Sequence, residues 1–238
     1  MINLISGGPA SGGDSERKRK RYCSQLDRLS TFKVEKRFPN CDLPISFTEE
    51  DWGDVRFPHD DPIVLSLKIG TRTTQNRRFA ELDYLMDRIL VDTGSSADVL
   101  YSGAFDKLGL QRDILHPIFT PLVGFTGDVL HPLGTVELFV KFGENPTSVT
   151  LPINFLVVET RPDYQAYNAI LGRHTLVRLD AYISCARLMM KFPTPAGIGM
   201  VRADQVVSRS CYSMALIPCR CHHLESVRSK AGSLPSEP

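Results

Sequence analysis

The chain has 238 residues, 42% hydrophobic and 23% charged, the balance of a soluble globular protein with one cored domain and flanking segments. A formal net charge of +1 removes any whole-molecule electrostatic case for a nucleic-acid or membrane partner. Six cysteines, no apolar run of membrane-spanning length and an opening, MINLISGGPASGG, that lacks a charged n-region and breaks into glycines point to reduced thiols in an intracellular, non-secreted protein with no membrane partner.

Residues 1–60 read as a poorly ordered linker. Nine Lys/Arg face four Asp/Glu over residues 14–37, and seven acids face one arginine over residues 40–61. Opposed charge blocks with little apolar periodicity are solvated chain. The basic run at 17–21 is the one candidate contact for nucleic acid, set against its plainer reading as solvated linker. Trp52, in the acidic stretch, is a candidate anchor onto the folded part.

From Pro62 the texture changes. PIVLSLKI places Ile63, Leu65, Leu67 and Ile69 at the period of a half-buried strand. RILV (88–91) is a short buried strand, TVELFVKF (135–142) alternates through Val136, Leu138, Val140 and Phe142, and VTLPINFLVVE (149–159) alternates around Pro152, which suggests an edge or a bulge. GEN (143–145) turns the last two into a hairpin, and further apolar runs occupy 167–171 and 182–192. Short helices are expected at SGAFDKLGL, with Ser102 as its cap, and around 172–181. Many short strands with Gly/Pro punctuation predict an all-β fold, a small barrel or sandwich with one or two short helices, over residues 61–205. Residues 206–238 read as a C-terminal tail.

The strand RILV runs straight into Asp92-Thr93-Gly94-Ser95-Ser96. A carboxylate at the end of a rigid strand is what an aspartic protease needs: two carboxyls about 3 Å apart share one proton, one activating water and the other polarising the scissile carbonyl. Gly94 permits close backbone approach, Thr93 braces the turn, and Ser95 is placed to hold the outer carboxylate oxygen. No second Asp-Thr-Gly or Asp-Ser-Gly follows, and the folded region is too short for two lobes. The second carboxylate must come from another copy, so the reading requires a homodimer through the active-site face.

At this point the chain resembles a known family. The segments RILVDTGSSADVLYSGAFDKLGL, PLVGFTGD, VELFVKFG, FLVV, YNAILGRHTL and MKFPTPAGIGMVRADQVVSRSCY are similar, in order, to the retropepsin-like protease region of plant gypsy-class LTR retrotransposon gag-pol polyproteins. The resemblance implies a small closed acid-protease β-barrel, active as a homodimer on a polypeptide substrate, without a cofactor or metal. It implies Asp92 as the catalytic aspartate with Thr93 and Gly94 as its turn. It also implies Gly124, Phe125, Thr126 and Gly127 as a flap over substrate, and Ile170, Leu171 and Gly172 as support beneath the catalytic loop. The segment 71–82 stands as an insertion between two strands, and His174 replaces the proline usual after ILGR.

Other features carry less. CRCHH (219–223) gathers potential ligands without the spacing of a zinc site. His59, His116 and His131 each neighbour a proline and read as turn residues, Tyr101 and Phe105 read as core, and Asp98 reads as a solvated or locally hydrogen-bonded acid. A retained but inert fold, serving for dimerisation or peptide binding, is the competing function.

Overall fold

A computed structural model of the chain describes residues 44–71, 84–124, 129–159 and 166–216. Six of its strands close a barrel. They are β1 (Val64–Gly70), β2 (Tyr84–Val91), β3 (Val99–Tyr101), β6 (Gly134–Phe142), β7 (Val149–Val158) and β8 (Ala169–Leu171), in the order β1-β2-β8-β3-β7-β6. The fold is mostly β, as the alternating segments predict. Two of its pairings, β2 with β8 and β3 with β7, are parallel, so each needs a crossover.

The clean alternations do what their period requires. Leu65, Leu67 and Ile69 from β1, Val136, Leu138, Val140 and Phe142 from β6, and Ile153, Phe155 and Val157 from β7 all point into one core. Each large side chain so buried contributes about 1.5–3 kcal/mol. Ser66 and Lys68 of β1 stay exposed. Pro152 pairs with Phe139 of β6, while β7 meets its other neighbour, β3, only from Leu156 onward. The missing N–H of proline therefore disrupts no second ladder.

β2 is longer than RILV and its register shifts. Leu65 pairs with Ile89 but Leu67 pairs with Met86, so Ser66 alone stands opposite Asp87 and Arg88. Arg88 takes up the extra residue with φ 57. The bulge brings Met86 and Ile89, three apart in sequence, onto the same core face.

Outside the barrel, a hairpin pairs β4 (Leu122–Val123) with β5 (Val129–Leu130). A three-stranded sheet joins β9 (Tyr182–Ser184), β10 (Met189–Thr194) and β11 (Gly197–Arg202), and Phe192 of β10 meets Phe142 edge-on at 6.2 Å. Three α-helices lie among the described residues: α1 (Ser102–Lys107), α2 (Arg173–Leu179) and α3 (Gln205–Leu216). Ser102 is the first helical residue of α1, and Tyr101 takes the cap position expected of Ser102. α3 lies where composition suggests a tail, yet its Cys211 is fully buried with Val64, Ala166 and Tyr167. That contact explains why Val64, on the outward phase of β1, is only 1% exposed.

Residues 44–60, grouped with the linker by their acidity, are also tied to the fold. A 3₁₀ turn at Glu49–Trp52 buries Asp51, whose Oδ2 accepts from Lys191 Nζ of β10 at 2.7 Å. Lys191 also donates to the Ser46 carbonyl at 2.9 Å, and the Arg187 guanidinium stacks 4.0 Å from the Trp52 ring centre. The Trp52 anchor expected from sequence thus works through a cation, with the buried ion pair beside it. No helix among the described residues is long and apolar enough to cross a membrane.

Candidate active site

Asp92 follows the last residue of β2, and two backbone bonds fix that strand end. Val91 N–H donates to the Ile63 carbonyl at 3.0 Å, and Asp92 N–H donates to the Leu171 carbonyl of β8 at 3.0 Å. The chain then turns. Gly94 N–H donates to Asp92 Oδ1 at 2.8 Å and Ser95 N–H to the Asp92 carbonyl at 3.2 Å. Asp92 is half-buried, and Thr93 and Gly94 are exposed. A carboxylate thus sits on a rigid strand end, held on one oxygen by a backbone N–H.

The loop rests on the corner between β8 and α2. A Cβ on Gly172 would lie 2.4 Å from the Ala97 carbonyl oxygen and 2.9 Å from that of Ser95, so only glycine permits this approach. Arg173 N–H donates to the Ser95 carbonyl at 2.8 Å. Arg173 Nη1 donates to the carbonyls of Thr93 at 3.2 Å and Gly94 at 3.0 Å. Below, the Asp98 carboxyl is 3% exposed. It accepts from Gly172 N–H on Oδ1 and from the Thr175 hydroxyl on Oδ2, both at 2.8 Å.

The structure distributes the residues singled out from sequence as follows. Asp92, Thr93, Gly94, Ser95 and Gly172 meet in one loop and its seat. Ser95, expected at the outer carboxylate oxygen, is fully buried and donates instead to the Ala97 carbonyl at 2.8 Å. Leu171 enters the barrel core, whereas Ile170 faces the other way. Gly124 directly follows β4, while Phe125, Thr126 and Gly127 lie outside the described residues, as do most of 71–82, the basic run 17–21 and CRCHH. Among the described residues, no group of three or more His, Cys, Asp or Glu side chains is placed to hold a metal ion.

Two contributors escaped the sequence reading. Asp98, taken there for a solvated or locally bonded acid, is the long-range clamp just described, 74 residues from Gly172. A signal was available: it adjoins the wholly apolar Val99-Leu100 of β3, which makes a solvated position unfavourable. Arg173 was passed over although it directly follows the Ile-Leu-Gly signature.

A second apolar cluster borders the site. Leu90, Ile170 and Val99 stand in register across β2, β8 and β3, and Leu122 of the hairpin and Val158 pack with them. On β2 the row stands at Leu90, two residues before Asp92, and it is largely covered, Val99 being 0% and Ile170 4% exposed. Tyr101 packs against the same cluster, and its phenol is raised by burial and then by the Asp92 charge. Burial pushes the Asp98 carboxyl up to about 7, against the opposing pull of Thr175, Gly172 and Arg178. Burial also lowers the His174 imidazole, with the Arg178 charge adding to it.

No family model and no curated protein matches the chain. Solved structures do align with it. One is the crystal structure of the retroviral protease-like domain of Ddi1 from Leishmania major, with 13% identity, a TM-score of 0.40, and 60% of this chain and 94% of that chain covered. Another is EIAV protease complexed with the inhibitor HBY-793, with 18% identity, a TM-score of 0.35, and 55% of this chain and 99% of that chain covered. Both are retroviral-type protease domains.

Proposed function

We propose that this chain is an aspartic endopeptidase of the retropepsin kind, derived from a plant gypsy-class gag-pol polyprotein and acting inside the cell. It is active only as a homodimer, with Asp92 and its symmetry mate as the dyad. The observation that carries this reading is the presentation of one carboxylate on an exposed, doubly braced loop. The other acid of that loop, Asp98, has both oxygens engaged by Gly172 and Thr175 and cannot serve as partner within the same subunit. A second copy supplies the missing group.

In the dimer the two carboxyls hold one proton between them. The charged one removes a proton from water as it attacks the scissile carbonyl, and the neutral one hydrogen-bonds the developing oxyanion. The substrate lies as an extended strand under the β4–β5 hairpin.

The purified chain should cleave apolar peptides at acidic pH, be blocked by a statine-type inhibitor, and sediment as a dimer. Asp92→Asn should abolish cleavage. Equal cleavage by wild type and Asp92→Asn refutes the assignment. A strict monomer that cleaves nothing leaves the inert, peptide-binding fold as the better description.

A further inference from the structure

The Asp98 carboxyl does more than fill a space, because its partners belong to a different part of the chain from the loop it ends. Asp98 closes the segment that starts at Asp92, its own carbonyl accepts from Leu156 N–H at 2.9 Å, and its side chain reaches the N-terminus of α2. Both donors to that side chain, an amide N–H and a hydroxyl, are neutral. Thr175 is itself fully buried. Arg178, on the next turn of α2, acts on Asp98 through its charge, with Nη1 bonded to the Pro152 carbonyl and Glu137 of β6 acting on it in turn. From the loop side, the neighbours Ala97 and Val99 bring no charge.

A charge walled in with neutral partners is unfavourable, whereas a neutral acid fits these atoms without loss. Oδ1 is then a carbonyl oxygen accepting from Gly172 N–H, and a proton on Oδ2 is donated to Thr175 Oγ1, whose hydroxyl rotates to suit. We propose that Asp98 is a positioning residue for the Asp92 loop and works as a neutral acid: its proton fastens the loop to the β8–α2 corner, and losing that proton loosens the loop. This rests on the reading of Asp92 as the catalytic group. The pKa of Asp98, raised by burial to about 7, agrees with a proton retained through the acidic range. The loop would then be held most firmly where an aspartic dyad carries its single proton.

Asp98→Asn is the discriminating substitution, because a carboxamide keeps an acceptor toward Gly172 and a donor toward Thr175, adds one further N–H, and cannot ionise. The test is a pH titration by NMR of the full-length chain between pH 4 and 8.5, following the Asp98 side-chain carbon and the Gly94 and Gly172 amides. In the wild type all three should move together, with a midpoint at least about two pH units above an ordinary aspartate. In Asp98→Asn the part of both amides' movement that follows the Asp98 side-chain carbon should vanish, leaving at Gly94 only what its bond to Asp92 Oδ1 contributes, and in Asp92→Asn that part should persist. A midpoint in the ordinary aspartate range, or a Gly94 amide that titrates identically in Asp98→Asn, overturns the proposal.

Peptide cleavage gives a second readout. Beyond the loss of activity that follows the dyad's own proton, the kcat of the wild type should fall about a further tenfold through the Asp98 midpoint found by NMR while KM changes little, and Asp98→Asn should lack that additional step. A step retained at the Asp98 midpoint in Asp98→Asn speaks against the proposal. Absence of any wild-type cleavage would remove the catalytic reading of Asp92, and the NMR titration would still decide whether the proton on Asp98 sets the loop.

Discussion

Replacing Gly172 by alanine adds one methyl group at the point where two segments of backbone touch. The new Cβ would stand 2.4 Å from the Ala97 oxygen, 2.8 Å from its carbon and 2.9 Å from the Ser95 oxygen, all of them main-chain atoms with no rotamer to give way. Ordinary contact requires the loop and the β8–α2 corner to separate by roughly 1 Å. Overpacking of this kind costs about 1–3 kcal/mol. The 2.8 Å bonds from Gly172 N–H to Asp98 and from Arg173 N–H to Ser95 span the same gap, and weakening them adds on the order of 1 kcal/mol. A domain of this size loses about 2–4 °C per kcal/mol, so thermal melting by circular dichroism should fall by roughly 5–15 °C. Under the proposed function, a displacement of about 1 Å at the Asp92 loop should also lower kcat by about 10²-fold. Gly109→Ala is the control, since a Cβ there meets nothing within 4 Å and suffers only from φ +69. If Gly172→Ala melts no lower than Gly109→Ala and cleaves like the wild type, the close approach described above is not what seats the loop.

Two further outcomes are expected. Asp98 titrates near 3.8 when unfolded and near 7 when folded, so the stability that it confers is complete below 3.8 and is lost as pH rises through 7. That gap of about three pH units corresponds to on the order of 4 kcal/mol. His174, held below its ordinary 6.5 by burial, gains stability as pH rises and works in the opposite sense. Urea melts at pH 4.5 and 8 should therefore be compared between wild type and Asp98→Asn: the difference isolates Asp98, and stability gained by the wild type relative to the variant on going to pH 8 would contradict the sign. At the N-terminal turn, Lys191→Met leaves the Asp51 carboxylate buried without its main partner and should cost about 3 kcal/mol in the same urea melts, and a loss below about 0.5 kcal/mol would mean that the pair is not confined as described.

The barrel's regular strands are legible because their periodicity is local. In β6 every second residue from Val136 to Phe142 is buried, and nothing distant alters that phase. β2 is harder, since the bulge at Arg88 puts Met86 and Ile89 on one face and hides the alternation on either side. The three residues of β8 are recognisable as an apolar run, but their position between β2 and β3 follows from pairings made across the fold. Asp92 announces itself through the strand before it and the turn after it. Asp98 and Asp51 do not, because each owes its burial to a partner far along the chain, Gly172 in one case and Lys191 in the other. Composition counts such acids as solvated, which is the usual outcome for an aspartate and the wrong one here.

The strap formed by residues 46–52 sets a limit on where the chain can be shortened. A fragment starting at Pro62, where the hydrophobic pattern begins, would keep every barrel strand yet strip Lys191 of the Ser46 carbonyl, the Asp51 carboxylate and the Phe47 ring in one cut. Without those partners the ammonium group has only water to bond, beside the sheet that carries Phe192 against the barrel. An excision meant to isolate the folded unit has to begin upstream of Ser46.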